Sequence, residues 1–166
     1  MADESPDRGP SEGSAESARE AYAHVGGPVL VEDSGLFVDD LAGFPGPYSA
    51  FVEDTIGIEG VADLAAGSPA TFRSVIAYCD GDDFARDPPT IDRGEGHTVV
   101  AGVDAPVAVL AGTVSGTIVR PRGDGGFGYD PIFEYEGETF AERSTEAKNA
   151  VSHRGRALAA FADWMA

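Results

Sequence analysis

The chain has 166 residues, of which 42% are hydrophobic, and this indicates one globular domain with a substantial core. Acidic residues outnumber Lys and Arg by 29 to 11, and the net charge of −18 argues against binding to nucleic acid, whose phosphates attract cations. The sequence has neither a signal-peptide pattern nor an apolar run near the roughly 18 residues of a membrane span, so we expect a cytoplasmic protein.

The charge also predicts a requirement for salt. Self-repulsion of this size destabilises a compact state in dilute buffer, and molar salt shortens the reach of the repulsion to a few ångströms. We therefore expect a protein adapted to high salt. The single cysteine, Cys79, lies in an apolar run and is expected to be a buried small hydrophobe.

The first half of the chain predicts a tail followed by helices and strands. Residues 1–14 are rich in Pro, Gly, Ser and acids, which predicts a disordered acidic tail. Apolar residues recur at helical spacing from Ala15 to Val25, and two glycines then end the predicted helix. Further on, the patterns predict a short buried strand over 28–32 and an extended stretch from Leu36 that breaks at the Gly/Pro cluster. They then predict a helix after Pro47, a helix over 58–66 and a strand over 71–80.

The second half predicts strands first and helices last. An acidic loop over 80–90 precedes valine-rich strands over 97–103 and 106–119, the second bent near Gly112, and a glycine-rich loop over 120–130 leads into a hairpin about Gly137. Two helices follow, one capped near Ser144 and one after Ser152 that is expected to bury Leu158, Phe161 and Trp164. Interleaved strands and helices predict a single α/β (mixed α+β) domain over 15–166, with a mixed sheet flanked by helices.

Adjacent acids are the first candidate site. Glu32 and Asp33 close the short predicted strand and are followed by Ser34 and Gly35. Taken alone, such a pair is more often a solvated turn than a site. If the strand ends there, both side chains can serve one site, where Mg²⁺ takes one or two carboxylates together with water and phosphate oxygens. The other carboxylate could then take a proton from a metal-polarised water.

The loop "GDGGFGYDP" is the second candidate. It is either a flexible turn or a ligand-binding segment. Glycine lets the backbone approach a ligand closely, and Phe127 and Tyr129 offer aromatic faces on which a base can stack. The aromatic residues favour a binding role.

The segment "AKNAVSHRGRAL" is the third candidate. Its cations are either helix surface charge or ligands of an anionic substrate. Lys148 is the only lysine in a strongly acidic chain, which indicates a task suited to a compact point charge, such as binding a phosphate. His153 and Arg154 follow the cap residue Ser152 and could donate hydrogen bonds to the carbonyl oxygens of a purine.

These three motifs resemble the inosine triphosphate pyrophosphatase family, the non-standard purine nucleoside triphosphate pyrophosphatases. The resemblance rests on "PVLVEDSGLFVDDLAGFPGPYSAF", "GGFGYDPIF" and "AKNAVSHRGRAL", in the family's order, and extends from about Ala15 to the C-terminus. It implies hydrolysis of ITP, dITP and XTP to the monophosphate and pyrophosphate, and so cleansing of the nucleotide pool. It also implies a Mg²⁺-dependent homodimer with an elongated α/β fold and a cleft between two lobes.

The resemblance implies a role for each matching residue. Asp33 corresponds to the base that activates water, and Glu32 and Asp33 together correspond to the acids that hold Mg²⁺. Ser34 and Lys148 correspond to substrate contacts. The loop residues that pack against base and sugar are Phe127, Gly128, Tyr129 and Asp130, and the residues that read the O6 atom of the base are Ser152, His153 and Arg154. The segment over 43–51 would serve shape and the dimer interface.

One part of the family pattern is not matched. Members of the family begin with a strand and a phosphate-binding loop of the form Thr/Ser-Gly/x-Asn-x-x-Lys, and residues 1–17 do not resemble it. Three explanations are open: an incomplete gene model, which we favour, a truncated and inactive relative, or a partner that supplies the missing piece. The alternative function is therefore a catalytically inactive module that binds purine nucleotides.

Overall fold

The computed structural model describes residues 10–94 and 104–166. One seven-stranded sheet has the order β2-β1-β3-β5-β6-β7, and β4 pairs with β5 outside this path. The pairs β1–β2, β4–β5, β5–β6 and β6–β7 are antiparallel. The strands are β1 (Val29–Val38), β2 (Pro45–Gly46), β3 (Pro69–Cys79), β4 (Thr90–Asp92), β5 (Val107–Ile118), β6 (Phe133–Tyr135) and β7 (Glu138–Thr139).

Five α-helices accompany the sheet in the described ranges. They are α1 (Pro10–Val25), α2 (Ser49–Thr55), α3 (Gly57–Ala65), α4 (Thr145–Val151) and α5 (His153–Met165). The Ser144 hydroxyl caps α4 by accepting the backbone N–H of Ala147 at 3.1 Å, as the sequence predicted. No helix in the described ranges has the length and apolar character needed to cross a membrane.

The chain forms two compact units, and the strands β1, β3 and β5 each contribute residues to both. The first unit takes its described residues from Met1–Asp33, Val75–Ala111 and Ala157–Ala166. Its core is built of small side chains, since α1 packs Ala15 and Ala18 against β3 and β5. Cys79 is fully buried in this core, as expected for a small hydrophobe, and burial raises the pKa of its thiol.

The second unit consists of Ser34–Ser74 and Gly112–Arg156 and has the larger, more aromatic core. Phe72 on β3 forms a cluster with Phe133 and Phe140, at ring-centroid distances of 4.3 Å and 5.7 Å. Side chains from β1, β5, α2 and α3 complete the core. This packing fixes the faces of β1 and β3 that carry the candidate site.

Several predictions about the elements are wrong in detail. The predicted tail over 1–14 includes residues 10–14, which form the first turn of α1 because Ala15 and Ala18 bury its inner face. In α5, Leu158 is 47% exposed, and the fully buried residue at this position of the helix is Ala157. Residues 1–9 and the predicted strand over 97–103 lie outside the described residues.

The strand at the acidic pair is longer than predicted. It does not end at Glu32, because β1 continues to Val38, whose side chain and that of Leu36 are fully buried in the core of the second unit. Apolar burial on every second residue after Ser34 keeps the chain extended. Adjacent side chains on a continuous strand project from opposite faces.

Candidate functional site

A cavity in the second unit contains most of the candidate residues. It encloses about 730 Å³ of empty space, counting its open mouth. The lining combines the end of β1, the helix α2, the glycine-rich loop and the junction of α4 and α5. The lining residues are Ser34, Gly35, Leu36, Ser49, Ala50, Glu53, Phe72, Phe127, Gly128, Tyr129, Asp130, Lys148, Asn149, Ser152, His153 and Arg154.

The buried hydroxyl of Ser49 forms hydrogen bonds that hold the wall of the cavity formed by β1 and α2. Its hydroxyl accepts the backbone N–H of Leu36 at 2.9 Å and donates to the carbonyl oxygen of Gly46 at 2.7 Å. The backbone carbonyl of Ser49 in turn accepts the phenol of Tyr129 at 2.6 Å. These bonds join α2 to β1 on one side and to the glycine-rich loop on the other.

Tyr129 is held in its protonated form at neutral and moderately alkaline pH. Burial and the nearby negative charge of Glu53 raise the pKa of Tyr129 to about 12. Its phenol therefore remains a hydrogen-bond donor to Ser49 throughout the physiological range.

A buried ion pair orders the glycine-rich loop. The Lys148 ammonium donates to Oδ2 of Asp130, and the same oxygen accepts the backbone N–H of Phe127 at 2.9 Å. Asp130 is 3% exposed and Lys148 is 8% exposed, so the sole lysine is a cavity group and not surface charge. A Cβ on Gly126 would stand 2.2 Å from that oxygen, which explains the glycine at a residue with φ +68°.

The ring of Phe127 is 63% exposed and lies beside two cations. The Lys148 Nζ is 4.2 Å from the ring centroid and the Arg154 guanidinium carbon is 5.3 Å from it. Both distances are within the range of cation–π attraction. The exposed ring therefore keeps a defined position at the cavity and can receive a planar ligand.

His153 is one of the buried polar groups of the lining. It is 8% exposed, and its ring stacks on Phe72 at 4.5 Å with an interplanar angle of 17°. The preceding residue, Ser152, caps α5, because its hydroxyl accepts the backbone N–H of Gly155 at 3.0 Å. The cap fixes the first turn of α5, on which His153 and Arg154 stand.

The structure brings most of the sequence-predicted site residues together. Those that line the one cavity are Ser34, Phe127, Gly128, Tyr129, Asp130, Lys148, Ser152, His153 and Arg154. Glu32 and Asp33 belong to the first unit and directly precede Ser34 on β1. The individual roles of these residues stay predictions.

The length of β1 bears on the prediction that Glu32 and Asp33 bind one Mg²⁺ together. Direct binding of one ion by both Glu32 and Asp33 was expected because the strand was expected to end there. Adjacent side chains of a regular strand project from opposite faces, and β1 continues through the acidic pair, so shared direct binding requires a local departure from regular strand geometry. The described residues contain no cluster of three or more His, Cys, Asp or Glu side chains that could hold an ion by themselves.

The carboxylate chemistry nevertheless fits Mg²⁺. This ion binds to nucleotide enzymes through one or two carboxylates and takes its remaining oxygens from waters and substrate phosphates. A closed protein cage of ligands is therefore not needed, and hard oxygen donors are present at Glu32 and Asp33.

Sequence reasoning missed seven members of the lining, which are Gly35, Leu36, Ser49, Ala50, Glu53, Phe72 and Asn149. Ser49 and Glu53 lie four residues apart on α2, so the spacing places them on one helix face, but nothing in the sequence distinguishes this face as the one toward the loop. Phe72 was predicted to lie on a strand, and its contact with His153 depends on long-range packing.

Comparison with known proteins identifies relatives over nearly the whole chain. The model of the Ham1 family matches residues 4–164. A dITP/XTP pyrophosphatase of Thermococcus kodakarensis is 47% identical over 146 residues, which cover 85% of this chain and 67% of that protein. An inosine triphosphate pyrophosphatase of Emericella nidulans is 40% identical over 150 residues, covering 90% of this chain and 72% of that protein.

A solved structure has the same fold. The structure of a HAM1 protein from Coxiella burnetii superimposes with a TM-score of 0.72 at 31% sequence identity, and the match covers 92% of this chain and 74% of that one. The chain thus spans about two thirds to three quarters of the length of these relatives.

Proposed function

The chain belongs to the Ham1 family, and we propose that it hydrolyses the non-standard purine nucleoside triphosphates ITP, dITP and XTP to the monophosphate and pyrophosphate. Relatives named as dITP/XTP and inosine triphosphate pyrophosphatases support this activity. The observation that carries the proposal is the single cavity lined by Phe127, Lys148, His153 and Arg154. Removal of such nucleotides would keep the pool free of miscoding bases.

The cavity chemistry favours a base that carries carbonyl oxygens. Arg154 is a permanent donor, and the cap at Ser152 places it beside His153 at the start of α5. A carbonyl at C6 accepts such hydrogen bonds, whereas the exocyclic amine of adenine would present donors to donors and leave them unpaired. We therefore assign discrimination against ATP to His153 and Arg154, with the base stacked at Phe127.

The remaining lining residues hold the nucleotide and the loop. Lys148 supplies positive charge toward the substrate, while Asp130 orients that lysine and the backbone of Phe127. Gly128 and Tyr129 shape the loop against the ligand, and Ser34 is the substrate contact next to the acidic pair.

Asp33 is the proposed base of the reaction. It would take a proton from the attacking water, and its position directly before Ser34 on β1 supports the assignment. The acidic pair of Glu32 and Asp33 would hold Mg²⁺, with direct binding by both carboxylates depending on a local departure of β1 from regular strand geometry. When bound, the ion contributes Lewis-acid stabilisation of the phosphate charge. Substrate phosphates and waters would complete the set of ligands.

The activity is tested by incubating the purified chain with Mg²⁺, molar KCl and each of ITP, XTP, GTP and ATP. We expect pyrophosphate release from ITP and XTP, much slower release from ATP, and loss of release in Asp33→Asn. Release of single phosphates would contradict both the reaction and the role of Asp33. Binding of ITP without any release would support the inactive binding module instead.

We further propose that the protein acts as a homodimer. The segment over 43–51 exposes large apolar side chains, with Phe44 at 43%, Tyr48 at 38% and Phe51 at 67%. Covering such side chains is a common basis of association. Light scattering should give twice the chain mass, and Phe51→Asp should reduce it to the monomer mass; a monomeric wild type would contradict this.

We also propose that the protein acts in the cytoplasm of a cell with high internal salt. The cytoplasm holds the nucleotide pool, and the net charge of −18 supports the salt requirement. The midpoint of thermal unfolding should rise between about 0.1 M and a few molar KCl as repulsion is screened. A midpoint that does not respond to salt would contradict this adaptation.

A further inference from the structure

The cavity contains an acidic side chain, Glu53, to which the proposed reaction assigns no role. Glu53 lies on α2 and lines the cavity together with Phe127 and Arg154. The other acid of the lining, Asp130, is already engaged with Lys148 and with the backbone of Phe127. Among the described residues, the Glu53 carboxylate has no hydrogen bond and no ion pair.

This carboxylate lies beside the glycine-rich loop. Its Oε2 atom is 3.5 Å from the point where a Cβ on Gly128 would stand, so the space beside this glycine of the loop is bounded by the carboxylate. The helix that carries it is joined to the loop by the bond from the phenol of Tyr129 to the carbonyl of Ser49. Its negative charge is felt at Tyr129, where it contributes to the raised pKa.

The depth of the groups in the cavity indicates which part of a nucleotide meets Glu53. His153 is buried, whereas Glu53 and Phe127 belong to the exposed part of the lining. A nucleotide that inserts its base toward His153 must leave its charged phosphates toward solvent. The sugar, which joins base and phosphates, then lies at the level of Glu53.

We propose that Glu53 binds the 3′-hydroxyl of the nucleotide sugar, a specificity contact that rests on the proposed purine nucleotide activity. A carboxylate is a strong acceptor for a sugar hydroxyl. The 3′-hydroxyl is shared by dITP and by the ribonucleotide XTP, the two substrates in the names of the relatives. Glu53 therefore selects nucleotides with a free 3′-hydroxyl over those that lack it.

The test measures binding of inosine 5′-monophosphate and its 2′-deoxy and 2′,3′-dideoxy forms by calorimetry on the full chain in molar KCl. Monophosphates need no turnover, so failure of the pyrophosphatase activity would not be mistaken for failure of this contact. We expect Glu53→Ala to weaken binding of the first two ligands about tenfold and to leave the dideoxy ligand unchanged.

Two variants serve as controls. Asp54→Ala removes the same charge from the adjacent exposed residue, which does not line the cavity, and should leave all three affinities unchanged. Glu53→Gln keeps an acceptor oxygen and should retain part of the preference for the 3′-hydroxyl.

Four outcomes would overturn the proposal. An equal loss of affinity for all three ligands in Glu53→Ala would place the contact on the base, and a loss confined to the ribonucleotide would place it on the 2′-hydroxyl. The other two outcomes are no loss of affinity in Glu53→Ala and no binding of any of the three ligands to the wild type.

Discussion

Replacing Asp130 by Asn should weaken the whole cavity, because this carboxylate organises two of its elements. Its Oδ2 atom accepts both the Lys148 ammonium and the backbone N–H of Phe127. The Asp130 and Lys148 side chains are 5% and 11% exposed, so water cannot replace the lost charge. The substitution keeps the shape of the side chain and leaves the buried ammonium without its counter-charge.

The expected cost follows from the burial of this pair. Removing one partner of a buried ion pair costs about 3–5 kcal/mol, and the amide oxygen that remains places Asp130→Asn at the lower end, about 3 kcal/mol. For a chain of this size, that corresponds to a melting temperature lower by about 6–12 °C. Calorimetric unfolding in molar KCl measures the shift, and inosine monophosphate binding should weaken in parallel.

An exposed ion pair supplies the matched control. Asp63 pairs with Arg120, and the two side chains are 67% and 65% exposed. Asp63→Asn changes the net charge by the same amount as Asp130→Asn, but it should alter stability by less than about 1 kcal/mol because solvent screens the pair.

A double-mutant cycle completes the test. Lys148→Met alone should also destabilise strongly, whereas Asp130→Asn with Lys148→Met should cost much less than the sum, since no unpaired charge remains buried. A loss of stability in Asp130→Asn as small as that in Asp63→Asn would contradict a buried ion pair at Asp130, and so would a double variant whose loss equals the sum of the Asp130→Asn and Lys148→Met losses.

Two further predictions concern the glycine-rich loop. Gly126→Ala should destabilise the protein more than Gly137→Ala, although both glycines have positive φ (+68° and +84°), because a Cβ at Gly126 meets Asp130 whereas nothing lies within 4 Å of a Cβ at Gly137. Gly137→Ala should cost only about 1–2 kcal/mol, and equal melting temperatures for the two variants would contradict this. Burial raises the pKa of Tyr129 to about 12, so this residue stabilises the fold at pH below its unfolded pKa of about 10 and loses this contribution as pH rises through about 12. A tyrosinate absorbance titration should lose its last step in Tyr129→Phe, and an unchanged titration would contradict the assignment of that step to Tyr129.

Local patterns in the sequence predicted the helices and strands well. Apolar spacing placed α1 and the cap at Ser144 placed α4, because both features depend on residues within one or two turns. The chain was expected to be extended again from Leu36, but the continuity of β1 between Glu32 and Leu36 was missed, because it depends on packing against side chains far away in sequence.

The site was predicted where its members stand in a motif and missed where they meet only in space. The glycine-rich loop and the residues from Ser152 to Arg154 are short, distinctive segments. Glu53 lies on a helical turn without a distinctive sequence pattern, and the hydrogen bond from the phenol of Tyr129 to the carbonyl of Ser49 joins its helix to the glycine-rich loop. A contact across 80 residues of sequence leaves no local signal.

The central claim is that one cavity selects the purine while Asp33 drives hydrolysis, and one measurement on Asp33→Asn addresses both parts. The variant should bind ITP at least as tightly as the wild type binds inosine 5′-monophosphate, and it should bind ATP far more weakly than ITP. It should release no pyrophosphate in the presence of Mg²⁺. Retained pyrophosphate release by Asp33→Asn, or equal binding of ITP and ATP, would contradict the account.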